Sequence, residues 1–101
     1  MMSMLFKPST HITFETVVED KRRLKTFLHA LTDTTWVFDL SEVTLCDSAG
    51  IALLIEAKRL SQQENRVCIF QGASSEIQSL IDFCGVDDVL LISSQQPGDM
   101  R

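Results

Sequence analysis

Residues 36–54 read Trp36-Val37-Phe38-Asp39-Leu40-Ser41-Glu42-Val43-Thr44-Leu45-Cys46-Asp47-Ser48-Ala49-Gly50-Ile51-Ala52-Leu53-Leu54. Trp36-Val37-Phe38 is a short, continuous apolar run closed by Asp39. That is the pattern of a strand buried on both faces, as in a parallel sheet. Leu40 to Cys46 is a connecting segment with apolar positions of its own. Asp47-Ser48-Ala49-Gly50 is a tight, turn-like cluster in front of a long apolar helix, expected from about Ala49 to Glu64. Ile51, Leu54, Ile55 and Lys58 fall along one stripe of that helix, with Ala52 and Leu53 beside it. Its second half turns polar through Glu56, Arg59, Gln62 and Gln63, and Asn65 suits the left-handed residue that follows a helix.

Downstream, Val67-Cys68-Ile69-Phe70 reads as another short buried strand, closed by Gln71-Gly72. Ser75-x-x-Gln78 has the form of a capping box. Ile77, Leu80, Ile81 and Cys84 follow at helical spacing, and Gly85 ends that helix. Val89 to Ile92 reads as a last strand, and Ser94 to Arg101 as a frayed tail. Upstream, Ile12, Phe14, Thr16 and Val18 alternate with His11, Thr13, Glu15 and Val17, which reads as a half-buried strand. Leu24, Phe27, Leu28 and Leu31 then have the spacing of an amphipathic helix, with Glu19 or Asp20 near its N-cap. The cationic run Lys21 to Lys25 reads as the solvated face of that helix, or as a surface for an acidic partner. Residues 1–10 read as a weakly ordered edge of a domain whose core spans about 11–93. Strands alternating with helices imply parallel, right-handed crossovers, and hence a single α/β domain over 1–101.

With 101 residues, of which 45% are hydrophobic, the chain can build one small core and has no room for a separate catalytic domain. Nine Lys and Arg against 14 Asp and Glu leave a net charge of −5, which disfavours nucleic acid and anionic membrane surfaces as partners. Cys46, Cys68 and Cys84 are odd in number and lack C-x-x-C spacing, so neither a disulfide framework nor a zinc site is expected. Each lies in an apolar stretch and reads as a reduced, buried thiol. Met4-Leu5-Phe6 is too short for a signal peptide, and no run approaches the ~20 apolar residues of a membrane helix. The expected location is the cytoplasm, with any work at a membrane done through a partner and no direct insertion.

In a parallel α/β sheet, function gathers at the carboxyl ends of strands beside helix N-termini. Both Asp39 and the Asp47-Ser48 turn are expected there. Ser48 is expected at or beside the N-cap of the long helix, its hydroxyl accepting from a backbone N–H near Ile51. Gly50 has no side chain, so another chain could approach the turn closely. A phosphate on Ser48 would meet the positive end of the helix but also the charge of Asp47. The four residues Ile51 to Leu54 cannot all face one core, so some apolar surface beside the cap is expected to be exposed and suited to docking.

The stretch Val37-Phe38-Asp39-Leu40-Ser41-x-Val43, then Asp47-Ser48-Ala49-Gly50-Ile51-Ala52-Leu53-Leu54, resembles the signature of STAS domains, the family named for sulfate transporters and anti-sigma factor antagonists. The hallmark resembled is D-L-S-x-V followed by D-[ST]-[SAG]-G-[LI], and the element order matches over roughly Ile12 to Ile92. The resemblance implies a mixed, mostly parallel β-sheet with helices packed on one side. It also implies a contact surface of Asp47, Ser48, Ala49, Gly50, Ile51 and Leu54, supported by Asp39 and Ser41. Two branches compete. In one, a cytoplasmic STAS subunit binds the ATPase subunit of the Mla phospholipid-transport ABC complex, which maintains outer-membrane lipid asymmetry. In the other, an anti-sigma factor antagonist is switched by phosphorylation, by a partner kinase, of the serine matching Ser48. Gly50-Ile51-Ala52-Leu53-Leu54, Gln71-Gly72 and Val86-Asp87-Asp88-Val89-Leu90 look more like the first branch. Position 48 is Ser where that branch typically has Thr, and position 49 is Ala where it has Gly.

Asp39, Asp47 and Ser48 could be drawn as carboxylates beside a nucleophile. However, neither His11 nor His29 is placed near Ser48 by sequence, and no G-x-S-x-G elbow, P-loop or dinucleotide glycine pattern occurs. The sequence therefore reads as a binding module, with no catalysis, cofactor or metal expected and with the two partner classes left open.

Overall fold

The computed structural model describes residues 4–85. Within them the order is β1 (Leu5–Phe6), β2 (His11–Ile12), α1 (Val17–Ala30), β3 (Thr35–Asp39), β4 (Leu45–Cys46), α2 (Ser48–Gln63), β5 (Val67–Gln71) and α3 (Ser75–Cys84). One sheet runs β1-β3-β5 and a second pairs β2 with β4, and all of these pairings are parallel. The α/β class and the parallel crossovers are as expected. The strand expected at Val89 to Ile92 and the tail lie outside the described residues.

The main sheet has one fully buried face. Phe6, Trp36, Phe38, Cys68 and Phe70 alternate along β1, β3 and β5 and are 4% exposed or less. In lateral register on the other face stand Leu5, Val37 and Ile69, of which Val37 and Ile69 are half-buried and Leu5 is exposed. The continuous apolar runs therefore do not mean burial on both faces here. The helices cover one side, and β-branched residues on the other side fit a pleated, half-covered surface equally well.

On the covered face, the Phe6 ring lies 5.5 Å from Phe27 and 5.3 Å from Phe38, and Phe27 lies 5.4 Å from Trp36. Tilted and edge-on pairs of this kind add to the stabilisation from burial alone. The Trp36 indole N–H donates to Ser61 Oγ of α2 at 2.9 Å, inside the core. Both residues are fully buried, so this bond has no solvent substitute. Ser61→Ala is expected to lower unfolding stability by about 1–2 kcal/mol, because it strands a buried donor. Urea denaturation followed by circular dichroism measures this.

The N-terminal part departs most from the sequence expectation. Leu5 and Phe6, expected in a weakly ordered edge, form β1, which pairs with β3, and Phe6 belongs to the core. The strand expected over 11–18 stops at Ile12. Thr13 O accepts from Thr16 N and Val17 N at 2.9 and 2.8 Å, turning the chain into α1. Thr16 Oγ1 accepts from Thr13 N and donates to His11 O, which fixes the turn. Thr16 is the N-cap residue of α1, in place of Glu19 or Asp20. Asp20 is instead fully buried within α1. It accepts from Ser9 N, Ser9 Oγ and Arg23 Nη1 at 2.9–3.1 Å. Arg23 also donates to Lys7 O and lies over the Phe6 ring, so this ion pair fastens the β1–β2 connection to α1.

At the other helix ends, Asn65 has φ 59° as expected. Ser74, one residue earlier than expected, caps α3 by accepting from Ile77 N, while Gln78 Nε2 donates to Ala73 O. Gly85 closes α3 in the left-handed region.

Candidate functional site

The candidate site is the junction where β2 and β4 end and α2 begins. Asp47 is the N-cap of α2, with extended backbone at φ −112°, ψ −170°. Its Oδ1 accepts from Ala49 N at 2.9 Å and Gly50 N at 3.1 Å. Its Oδ2 accepts from Phe14 N at 3.2 Å. One carboxylate thus satisfies two otherwise unpartnered amides of the first helical turn and ties the β2–α1 turn to them. The charge also suits the positive end of the helix.

Ser48 is not the cap. It is the first residue of α2, exposed, and its hydroxyl takes no part in capping. The Ile51 N–H that was expected to donate to Ser48 donates to Asp47 O at 3.1 Å instead. The reason is that Asp47 holds the N-cap: Ile51 N, four residues on, makes the first ordinary helical bond to its carbonyl, and its carboxylate takes the amides two and three residues on. Ser48 therefore remains on the surface with a free choice of partner.

Gly50 is needed for a different reason from the one expected. A Cβ at this position would lie 2.4 Å from Ile12 O and 2.6 Å from Cys46 Sγ. The close approach is made by this chain's own β2 and β4, and Gly50 is buried. Ile51 and Leu54, expected in the contact surface, are 2% and 0% exposed and belong to the core. Leu53 is buried too, so of Ile51 to Leu54 only Ala52 is exposed. Strands β4 and β5 and helices α1 and α3 all pack on α2, which is how neighbouring positions on one helix are buried together. Ala49 is half-buried.

Asp39 and Ser41 form a network of their own. Asp39 Oδ1 accepts from Ser41 N at 3.0 Å, and that bond holds the Asp39 carboxyl below its usual range, with Lys7 adding a smaller pull. Gly72, at φ 80°, passes so close that a Cβ there would lie 2.8 Å from Ser41 N. The Gln71-Gly72 ending of β5 thus packs the turn that follows β3. No hydrogen bond joins this network to Asp47 or Ser48 among the described residues.

Phe14 was not read as a site residue, yet it stands at the junction. Its N–H donates to Asp47 Oδ2, which sets its backbone beside the N-cap of α2. It is 72% exposed, and Val18, one helical turn on, is 78% exposed. Leu45, just before the junction, is also exposed. The Thr16-x-x-Glu19 spacing, a capping-box pattern, was the signal that could have ended the strand early and set Phe14 in a turn.

The thiols differ sharply. Burial pushes Cys46 up to about 11, with the Asp47 charge adding to it, and pushes Cys68 up to about 12. Cys84 is exposed, contrary to the expectation of three buried thiols. In the folded protein at neutral pH, maleimide is expected to modify Cys84 alone within minutes, and Cys46 and Cys68 only after denaturation. Intact-mass spectrometry with peptide mapping reads this directly.

Neither His11 nor His29 hydrogen-bonds to Ser48 or Asp47, and both are exposed. Among the described residues no helix is long and apolar enough to cross a membrane. Together the fold and the junction define a small parallel α/β domain that presents a rigidly capped helix N-terminus where two strands end. The chain belongs to the STAS domain family: the family model described as "Mlab, STAS domain" matches residues 9–93. STAS domains are generally non-catalytic binding domains. Comparison with curated proteins finds no match.

Proposed function

We propose that this chain is the non-catalytic STAS subunit that docks on the ATPase of an ABC phospholipid transporter maintaining outer-membrane lipid asymmetry, and supports that ATPase. On this reading it is cytoplasmic and sits at the inner membrane only through its partner. The observation that carries the reading is the match to the MlaB-type family model over 9–93, a span that includes the whole α2 junction. The junction suits the role. Asp47 and Gly50 hold the turn rigid from within, so Ser48 and its exposed neighbours can be presented with little ordering cost on binding. In this role Ser48 makes the contact with half-buried Ala49 beside it, Asp47 and Gly50 shape the turn beneath them, and Asp39 and Ser41 support a neighbouring turn.

One observation favours the second reading, an anti-sigma factor antagonist switched by a kinase. Residue 48 is a serine whose hydroxyl stands outside the cap, where a kinase could reach it. The two readings are separated by native co-purification of the tagged chain with mass spectrometry. The expected result is an ABC ATPase together with its membrane permease. A soluble ATP-binding kinase, with a phosphate on Ser48, would replace the first reading with the second.

A further inference from the structure

We draw no further inference here: the strongest candidate, the open groove between β1 and α1 walled by Phe6 and Phe27 and rimmed by Lys7, Arg22 and Arg23, carries nothing, because these cations are already paired with Glu42, Glu19 and Asp20 respectively and nothing in the structure shows what covers it.

Discussion

Gly50→Ala is expected to destabilise the domain by about 3 kcal/mol, at the upper end of what overpacking costs. At an exposed helix position the same change would stabilise by about 1 kcal/mol, because alanine is the better helix former. Here the added methyl would sit 2.4 Å from Ile12 O and 2.6 Å from Cys46 Sγ. The cysteine could turn, but the carbonyl belongs to β2, whose pairing with β4 fixes it. Relief therefore requires α2 to move off the strands and loosen Asp47's hold on the first helical turn. A loss of 3 kcal/mol is a large share of the roughly 5–15 kcal/mol that keeps a small domain folded. Urea unfolding monitored by far-ultraviolet circular dichroism gives the value. A Gly50→Ala protein as stable as wild type would mean that α2 and β2 are not in contact as described.

Ser48→Asp should do the reverse: little to stability, much to binding. Ser48 is exposed at the first position of α2, so nothing in the core has to yield. A carboxylate there is favoured by the helix dipole by about 0.3–1 kcal/mol, partly offset by repulsion from Asp47. At a docked surface the same carboxylate must be stripped of water without a partner. On the proposed reading, affinity for the ATPase subunit is expected to fall about a hundredfold, in line with the cost of an unpaired charge at an interface. Ser48→Ala, which removes only a hydroxyl, should cost about fivefold. Paired melting curves and calorimetric titrations separate the two effects. Equal affinity of wild type, Ser48→Ala and Ser48→Asp would take Ser48 out of the contact.

How much of this was legible in the sequence depended on how local the cause was. Strand β3, helix α2, strand β5 and the end of α3 are written in uninterrupted patterns: Trp36-Val37-Phe38, the Ile51–Leu54 stripe, Val67–Phe70 and Gly85. Asp47 and Ser48 were legible as a helix entrance, but which of them caps it turned on backbone angle, which residue type alone does not give. The roles of Gly50, Ile51 and Leu54 were misplaced for a long-range reason. Whether a glycine faces a partner or its own chain depends on where β2 comes to rest, and Ile12 is distant in sequence. The stretch from Ile12 to Val18 failed because its alternation of apolar and polar residues is real but is not used as a strand. Phe14 and Val18, counted as inward positions, are among the most exposed residues. Asp20 was set at a helix end because aspartate usually belongs there, and its burial follows from Ser9 and Arg23, which pattern reading does not join.

The bond between Trp36 and Ser61 has a practical consequence. Trp36 is the chain's single tryptophan, and the chain has no tyrosine, so its indole emission comes from one core position. With its N–H held by a serine hydroxyl and its ring among Phe6, Phe27 and Phe38, that emission is set by the integrity of the core. The Ser48 junction lies at the other end of α2 from Ser61. The protein thus carries a built-in optical gauge that is blind to events at the junction. A variant that loses its partner while the colour of its light is unchanged has lost a contact, and one whose light shifts to the red has lost its fold.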